Sequence, residues 1–226
     1  MQRVSAVDVA AGGVVVAAAT SGTNDLIAMV KGSDLQPLAS GTQPAGVTPA
    51  INSRGDVAFV ALTASRRTPF ELVQITASGD QTVPLRAASP LLSPEFGPAG
   101  EVAVWEESTG LESSNAASFG HVVIVAGGRP RRLRVDIGEV NGMTWSWVSD
   151  QILLTGRTGP GRVLDVESGT TTGSIPPHWR VLDTRKDGVV LVARNGRLYT
   201  WDRAADGRAL ESVDFPGDVY DAAWSD

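Results

Sequence analysis

The sequence predicts an all-β fold, a β-propeller of about five four-stranded blades, on three observations. Turns recur at Gly13, Gly55, Gly100 and Gly188, with Ser149 in the matching place of the fourth unit, at spacings of 42, 45, 49 and 39 residues. Their mean of about 44 residues is the length of a four-stranded propeller blade. Each turn is followed by a short apolar run, then by a polar loop, a second apolar run, a second turn and a last strand. A β-sandwich or two small barrels use equally short strands, but neither requires a constant period with the same turn chemistry at the same place.

Composition agrees with this class. The chain has 226 residues, 42% of them hydrophobic, with 25 glycines and 13 prolines, and no segment carries a sustained helical period with caps. One domain spanning 1–226 is expected at this length. Its repeats run approximately over 4–41, 47–89, 91–136, 138–178 and 179–216, with a partial repeat at 217–226.

Taken in order, the runs that follow the first turn read "VVVAAAT", "DVAFVAL", "EVAVWEE", "QILLTGR" and "VVLVARN". They are apolar on both faces, as a strand packed between two neighbouring blades must be. The third strands read "DLIAMV", "FELVQIT", "HVVIVA", "RVLDVE" and "RLYTWD". Behind them come "KGSD", "ASGD", "GGRP", "SGTT" and "RAADGR", with glycine available where positive φ is needed. The segment "GDVYDAAWSD" then opens a sixth unit as a first strand. Its expected roles are a clasp on a five-bladed ring, the start of a larger propeller, or a strand shared between chains, which would complete blades in an oligomer.

"TPAINSRGDVAFVAL" and "SPEFGPAGEVAVWEES" resemble the proline, aromatic, small residue, turn glycine and apolar strand that open the repeats of TolB-like propellers, with Val9 and Ile51 standing in the aromatic's place in the first two repeats and the usual turn aspartate mostly missing. "VVIVAGGRPRRL" is similar to their third strand, glycine turn and fourth strand. Trp201-Asp202 stands where WD-repeat proteins carry their namesake pair, but it occurs once and lacks the partnering histidine, so the TolB-like group is the nearer match. The resemblance implies a rigid ring used to bind proteins or peptides.

Several functions are disfavoured by counting. With 19 basic and 25 acidic side chains the formal charge is −6, which opposes nucleic-acid backbone binding. No cysteine is present, so disulfides and thiolate chemistry are excluded. No stretch approaches the roughly 20 apolar residues of a membrane-spanning helix. Asp8 and Gly12-Gly13 interrupt the only run that looks like a signal peptide. The two histidines, His121 and His178, lie in neither an HExxH motif nor a G-x-S-x-G setting.

The candidate binding residues are aromatic and basic. Trp105, Trp201 and Trp224 occupy strand positions expected to pack blades together, each worth about 4–6 kcal/mol if fully buried. Trp145 and Trp147 alternate around Ser146 and form either core or an aromatic platform at the rim. Arg129, Arg131, Arg132 and Arg134 lie in "RPRRLR", either guarding an outer edge or docking an acidic partner. "TGRTGPGR" has no lysine-serine or lysine-threonine after it and reads as a hairpin loop rather than a phosphate cradle. The long insertion from Glu107 to Gly120, polar and rich in small residues, is either a recognition loop or a disordered one.

Asp56, Glu101, Asp150 and Asp187 flank equivalent turns, where they form either a solvated set or a partial acidic ring for a cation such as calcium. No other cofactor is expected. The expected function is a non-enzymatic scaffold that binds a protein or peptide through rim loops or a central funnel. The alternative is a gating propeller of a prolyl-oligopeptidase-like hydrolase, or a metal-dependent enzyme using channel carboxylates.

Overall fold

The computed structural model describes residues 2–213, apart from 11–12, 22–23, 32, 42–47, 109–118, 138–139, 147–148 and 204–209; at 2–6, 19–21, 24–25 and 39–41 it describes the backbone alone. Among these residues there is no helix, and twenty strands form five antiparallel four-stranded sheets arranged as a β-propeller.

Blade 1 consists of β1 (Gln2–Ala10), β2 (Val14–Ser21), β3 (Asn24–Lys31) and β4 (Asp34–Gly41). Blade 2 holds β5 (Ala50–Ile51), β6 (Val57–Leu62), β7 (Phe70–Ile75) and β8 (Gln81–Ala87). Blade 3 holds β9 (Leu91–Phe96), β10 (Val102–Glu107), β11 (Gly120–Ala126) and β12 (Arg129–Val135). Blade 4 holds β13 (Val140–Ser146), β14 (Gln151–Gly156), β15 (Gly161–Asp165) and β16 (Thr171–Ile175). Blade 5 holds β17 (Arg180–Thr184), β18 (Val189–Arg194), β19 (Arg197–Asp202) and β20 (Leu210–Val213). The second and third strands fall on the runs the pattern selects, and "TGRTGPGR" makes the β14–β15 hairpin.

The turn between the first and second strand is nearly the same object in blades 2, 3 and 5. Gly55, Gly100 and Gly188 adopt φ of 84°, 92° and 89° and donate their N–H to the carbonyls of Asn52, Gly97 and Arg185 at 2.9, 3.0 and 2.9 Å. This is a three-residue hairpin loop whose last position is left-handed, where only glycine avoids a steric cost. In each of blades 1 to 3 the residue two past the glycine pairs with the one four before it: Val15 with Val9, Val57 with Ile51, Val102 with Phe96.

Blade 4 corrects the spacing argument. There Ile152 pairs with Trp145, and the left-handed residue two positions earlier is Asp150, at φ 43°, not Ser149. The loop is one residue longer, and an aspartate, which tolerates this region better than most side chains, stands in for glycine.

Alternation along each second strand sends successive side chains to opposite blade interfaces, which is why these runs have no polar face. On β10, Val102 and Val104 enter the core between blades 2 and 3, while Ala103 and Trp105 enter the core between blades 3 and 4. On β14, Ile152 and Leu154 join the blade 3–4 core and Leu153 the blade 4–5 core. Val16 and Ile27 of blade 1 pack on Val57 and Phe59 of blade 2. A further cluster, Leu182, Leu191, Ala193 and Leu198, covers the other face of blade 5.

Candidate binding site

The first strands of blades 1, 3, 4 and 5, and Thr48-Pro49 just ahead of β5, reach one central mouth. A cavity of about 40 Å³ there has room for only a few waters. Blade 1 contributes Val7 and Asp8, blade 2 Thr48 and Pro49, blade 3 Ser93 and Glu95, blade 4 Gly142 and Met143, and blade 5 the run from Arg180 to Asp183. A ligand meets the mouth as a surface of three carboxylates and one guanidinium, Asp8, Glu95, Asp183 and Arg180.

These charged groups also tie blades together. Asp8 accepts the N–H of Val9 at 2.8 Å and, through its other oxygen, the N–H of Ile51 in blade 2 at 2.7 Å. Asp183 accepts the N–H of Thr184 at 2.6 Å. Arg180 Nε donates to the Asn141 carbonyl at 2.7 Å, joining blade 5 to blade 4. Behind it, buried Thr155 Oγ1 accepts the Val181 N–H at 3.2 Å and donates to the Gly142 carbonyl at 3.4 Å. Thr144 and Thr184 bring their hydroxyls within 3.2 Å across the same seam. The seam is tight: a Cβ on Gly142 would overlap the Val181 carbonyl and Thr155 Oγ1. Ser93, at φ 48° beside Pro94, is held in the sparsely populated left-handed region at this mouth.

The carboxylates expected to form a ring are spread over separate blades, each engaged by its own neighbours. Asp56 accepts hydrogen bonds from Asn52 Nδ2 at 2.9 Å, Arg54 Nε at 3.1 Å and the Ala77 N–H at 3.0 Å. Burial pushes its pKa up, but these donors and the Arg54 charge outweigh that and hold it below the usual aspartate range. Glu101 accepts the Ala99 N–H at 3.1 Å, and Asp150 the Trp145 Nε1–H at 3.0 Å. Asp187 is paired with Arg185, whose hydrogen bonds lower its pKa. Among the described residues no three histidine, aspartate or glutamate side chains gather to hold a metal ion.

Trp145 is 3% exposed and lies in the core between blades 3 and 4, against Gly97, so of its two expected places it takes the core. Trp147, Trp224, most of the 107–120 insertion and the 217–226 segment lie outside the described residues. Trp105 and Trp201 pack between blades as expected.

The arginine run is the exposed outer strand β12, and much of its charge is committed locally. Arg132 pairs with Glu106 at 2.8 Å, Arg134 pairs with Asp136 at 3.2 Å and lies 4.3 Å over the Phe119 ring, and Arg131 donates to the Val166 and Glu167 carbonyls of blade 4.

Asp8, Glu95 and Asp183 were not singled out from the sequence, although a signal for them exists. Each stands one residue before the position that lies four ahead of the turn glycine and pairs with the second strand, namely Val9, Phe96 and Thr184. In these three blades that preceding neighbour lines the mouth. The same place in blades 2 and 4 holds Ala50 and Thr144, which are buried in the blade 2–3 core and in the blade 4–5 seam, and there Thr48, Pro49, Gly142 and Met143 line the mouth instead.

Fold and mouth together define a five-bladed β-propeller with a closely packed axis. Among solved structures the chain is similar to a TolB candidate from Agrobacterium tumefaciens, with a TM-score of 0.67 at 13% identity over 96% of this chain and 83% of that one. It is also similar to a protein from Lactobacillus plantarum, with a TM-score of 0.56 at 15% identity over 95% of this chain and 70% of that one. The propeller of Dos1 matches with a TM-score of 0.58 at 10% identity over 98% of this chain and 63% of that one. At these identities the likeness is one of fold. No family model matches the chain, and no curated protein sequence matches it.

Proposed function

We propose that this chain is a non-enzymatic propeller that binds a protein or peptide segment at its central mouth. The observation that carries this reading is the convergence of four first strands, and of Thr48-Pro49 just ahead of the fifth, β5, on a mouth bearing Asp8, Glu95 and Asp183 against Arg180. Such a surface favours a segment that presents a cationic or hydrogen-bond-donating group, and a rigid ring offers it at little ordering cost.

Selection of a displayed random-peptide library on the wild-type chain tests the reading. The expected winners carry lysine or arginine, and Glu95→Lys weakens them at least about tenfold, or 1.4 kcal/mol. Arg132→Glu, on the outer strand of blade 3, leaves them unchanged. Winners that bind the Glu95→Lys chain as tightly as wild type would place recognition elsewhere and overturn the reading.

A further inference from the structure

The five outermost strands, β4, β8, β12, β16 and β20, each leave one edge unpaired by any described strand. A free edge is a template for another extended chain, and proline or charge along it is the usual protection. β4 carries Asp34 and Pro37, β8 carries Pro84 and Arg86, β12 carries Pro130 and four arginines, and β20 carries Glu211. β16 alone, "TTGSI", carries neither. Its Thr171, Thr172 and Ser174 are exposed.

That unguarded edge ends in a large cleft between blades 4 and 5. The cleft has a volume of about 650 Å³, within the range of ligand sites. Ser174 and Ile175 of β16 lead into it, and Pro160, Pro177, Trp179 and Trp201 line it. The two indoles are fixed edge to face, with centroids 5.2 Å apart and planes at 84°. His178 adopts φ 67°, a left-handed conformation costly for a histidine and found disproportionately where a site is held in place. Among the described residues the charged side chain in the lining is Arg194, and none of them brings a carboxylate to the cleft, in a chain whose formal charge is −6. The cleft thus joins an edge that no described strand pairs, an apolar surface floored by two buried indoles, and a cation.

We propose that β16 is a strand-addition site for an extended, acidic-aromatic peptide segment, distinct from the central mouth. The segment pairs its backbone with the free edge over Thr171–Ile175, and Pro176-Pro177 end the ladder. Five residues at about 3.3 Å each set a paired length near 17 Å. An aromatic or proline side chain of the segment rests on exposed Pro177, over a floor made by the edges of the buried Trp179 and Trp201. Because strand side chains alternate, a carboxylate two residues further on falls on the same face, toward Arg194. Backbone pairing supplies the affinity, and the cleft with Arg194 supplies the choice of side chains.

The test uses the full chain and one probe, the acetylated peptide amide Thr-Val-Thr-Trp-Val-Asp. Amide hydrogen exchange at residues 171–175 is expected to slow at least about tenfold at saturating peptide, as added ladder bonds require. Thr172→Pro mimics the guard of β8. Thr172 sits where the β15–β16 ladder slips, as Pro84 does in the β7–β8 ladder, so proline has a precedent at this place and, among the described side-chain contacts, removes only the long 3.4 Å bond from Thr172 Oγ1 to the Val163 carbonyl. It is expected to weaken the peptide at least about tenfold. Thr172→Lys, a second guard that leaves backbone donors intact, is expected to weaken it as well. Arg194→Glu is expected to weaken this peptide several-fold and to leave its asparagine counterpart unchanged. Glu95→Lys is expected to leave all of these unchanged, which separates this site from the central mouth. Absence of exchange protection at about 1 mM peptide, protection elsewhere than 171–175, or wild-type binding by both Thr172 variants would overturn the proposal.

Discussion

Replacing Thr155 by valine isolates the hydroxyl that bridges blades 4 and 5. Thr155 is 1% exposed, so valine keeps nearly the same shape while removing the only polar atom of the side chain. Its Oγ1 takes the Val181 N–H at 3.2 Å and reaches the Gly142 carbonyl at 3.4 Å. The second bond is long and contributes little. The cost is therefore that of leaving one buried N–H without its acceptor, about 1–3 kcal/mol, and we take about 2. In a domain of 150–250 residues that corresponds to a melting point lower by roughly 4–8 °C. Thr155→Ser is the control: it keeps the hydroxyl and loses one buried methyl, worth about 1 kcal/mol. Urea unfolding followed by two optical probes measures both, with an unchanged m-value showing that the transition stays comparable. The valine variant must be the less stable of the two. If serine costs more than valine, the pocket at Thr155 is governed by packing and the polar seam does not hold the blades together.

Two further predictions concern the turn carboxylates. At Asp150 the order of stability is expected to be wild type and Asp150→Asn nearly equal, then Asp150→Gly, then Asp150→Ala. Asparagine tolerates φ 43° and can still accept the Trp145 indole hydrogen, glycine loses only the acceptor, and alanine loses the acceptor and adds about 1–2 kcal/mol of left-handed strain; thermal melts check the ranking, and an alanine variant as stable as asparagine refutes it. For Asp56, the folded-state pKa lies below the unfolded one, so its contribution is present above an unfolded pKa of about 3.9 and is lost as pH falls through the lower folded value. The stability gap between wild type and Asp56→Asn is therefore expected to be widest near neutral pH and to close with acidification below about pH 4; a gap that widens on acidification contradicts the hydrogen-bond geometry.

Much of the fold was legible because propeller blades are built from local signals. A positive-φ glycine, a hairpin and a doubly buried strand leave their marks within about ten residues, and the marks recur with the blade. The fourth anchor misled by one residue because the structure required a left-handed backbone, not a glycine, and Asp150 satisfies that requirement with a side chain. The candidate site was less legible. Composition and local pattern drew attention to the prominent residues, such as Trp145 and the arginines of β12, and folding uses Trp145 in the core and much of the β12 charge in local pairing. The mouth residues Asp8, Glu95 and Asp183 are inconspicuous in the chain, 87 and 88 residues apart, and acquire a role only by convergence.

By itself the sequence determined the class of fold, the strands and their order, since those depend on turn chemistry and on apolar alternation over a few neighbours. Tertiary structure alone decided which side chains look toward the axis, which carboxylates are already engaged by nearby donors, and that one outer edge, β16, stands unguarded beside a ring-lined cleft. The reason is physical. Facing, burial and pairing are set by which blade lies next to which, and contacts between residues distant in the chain leave no mark in any single stretch of it.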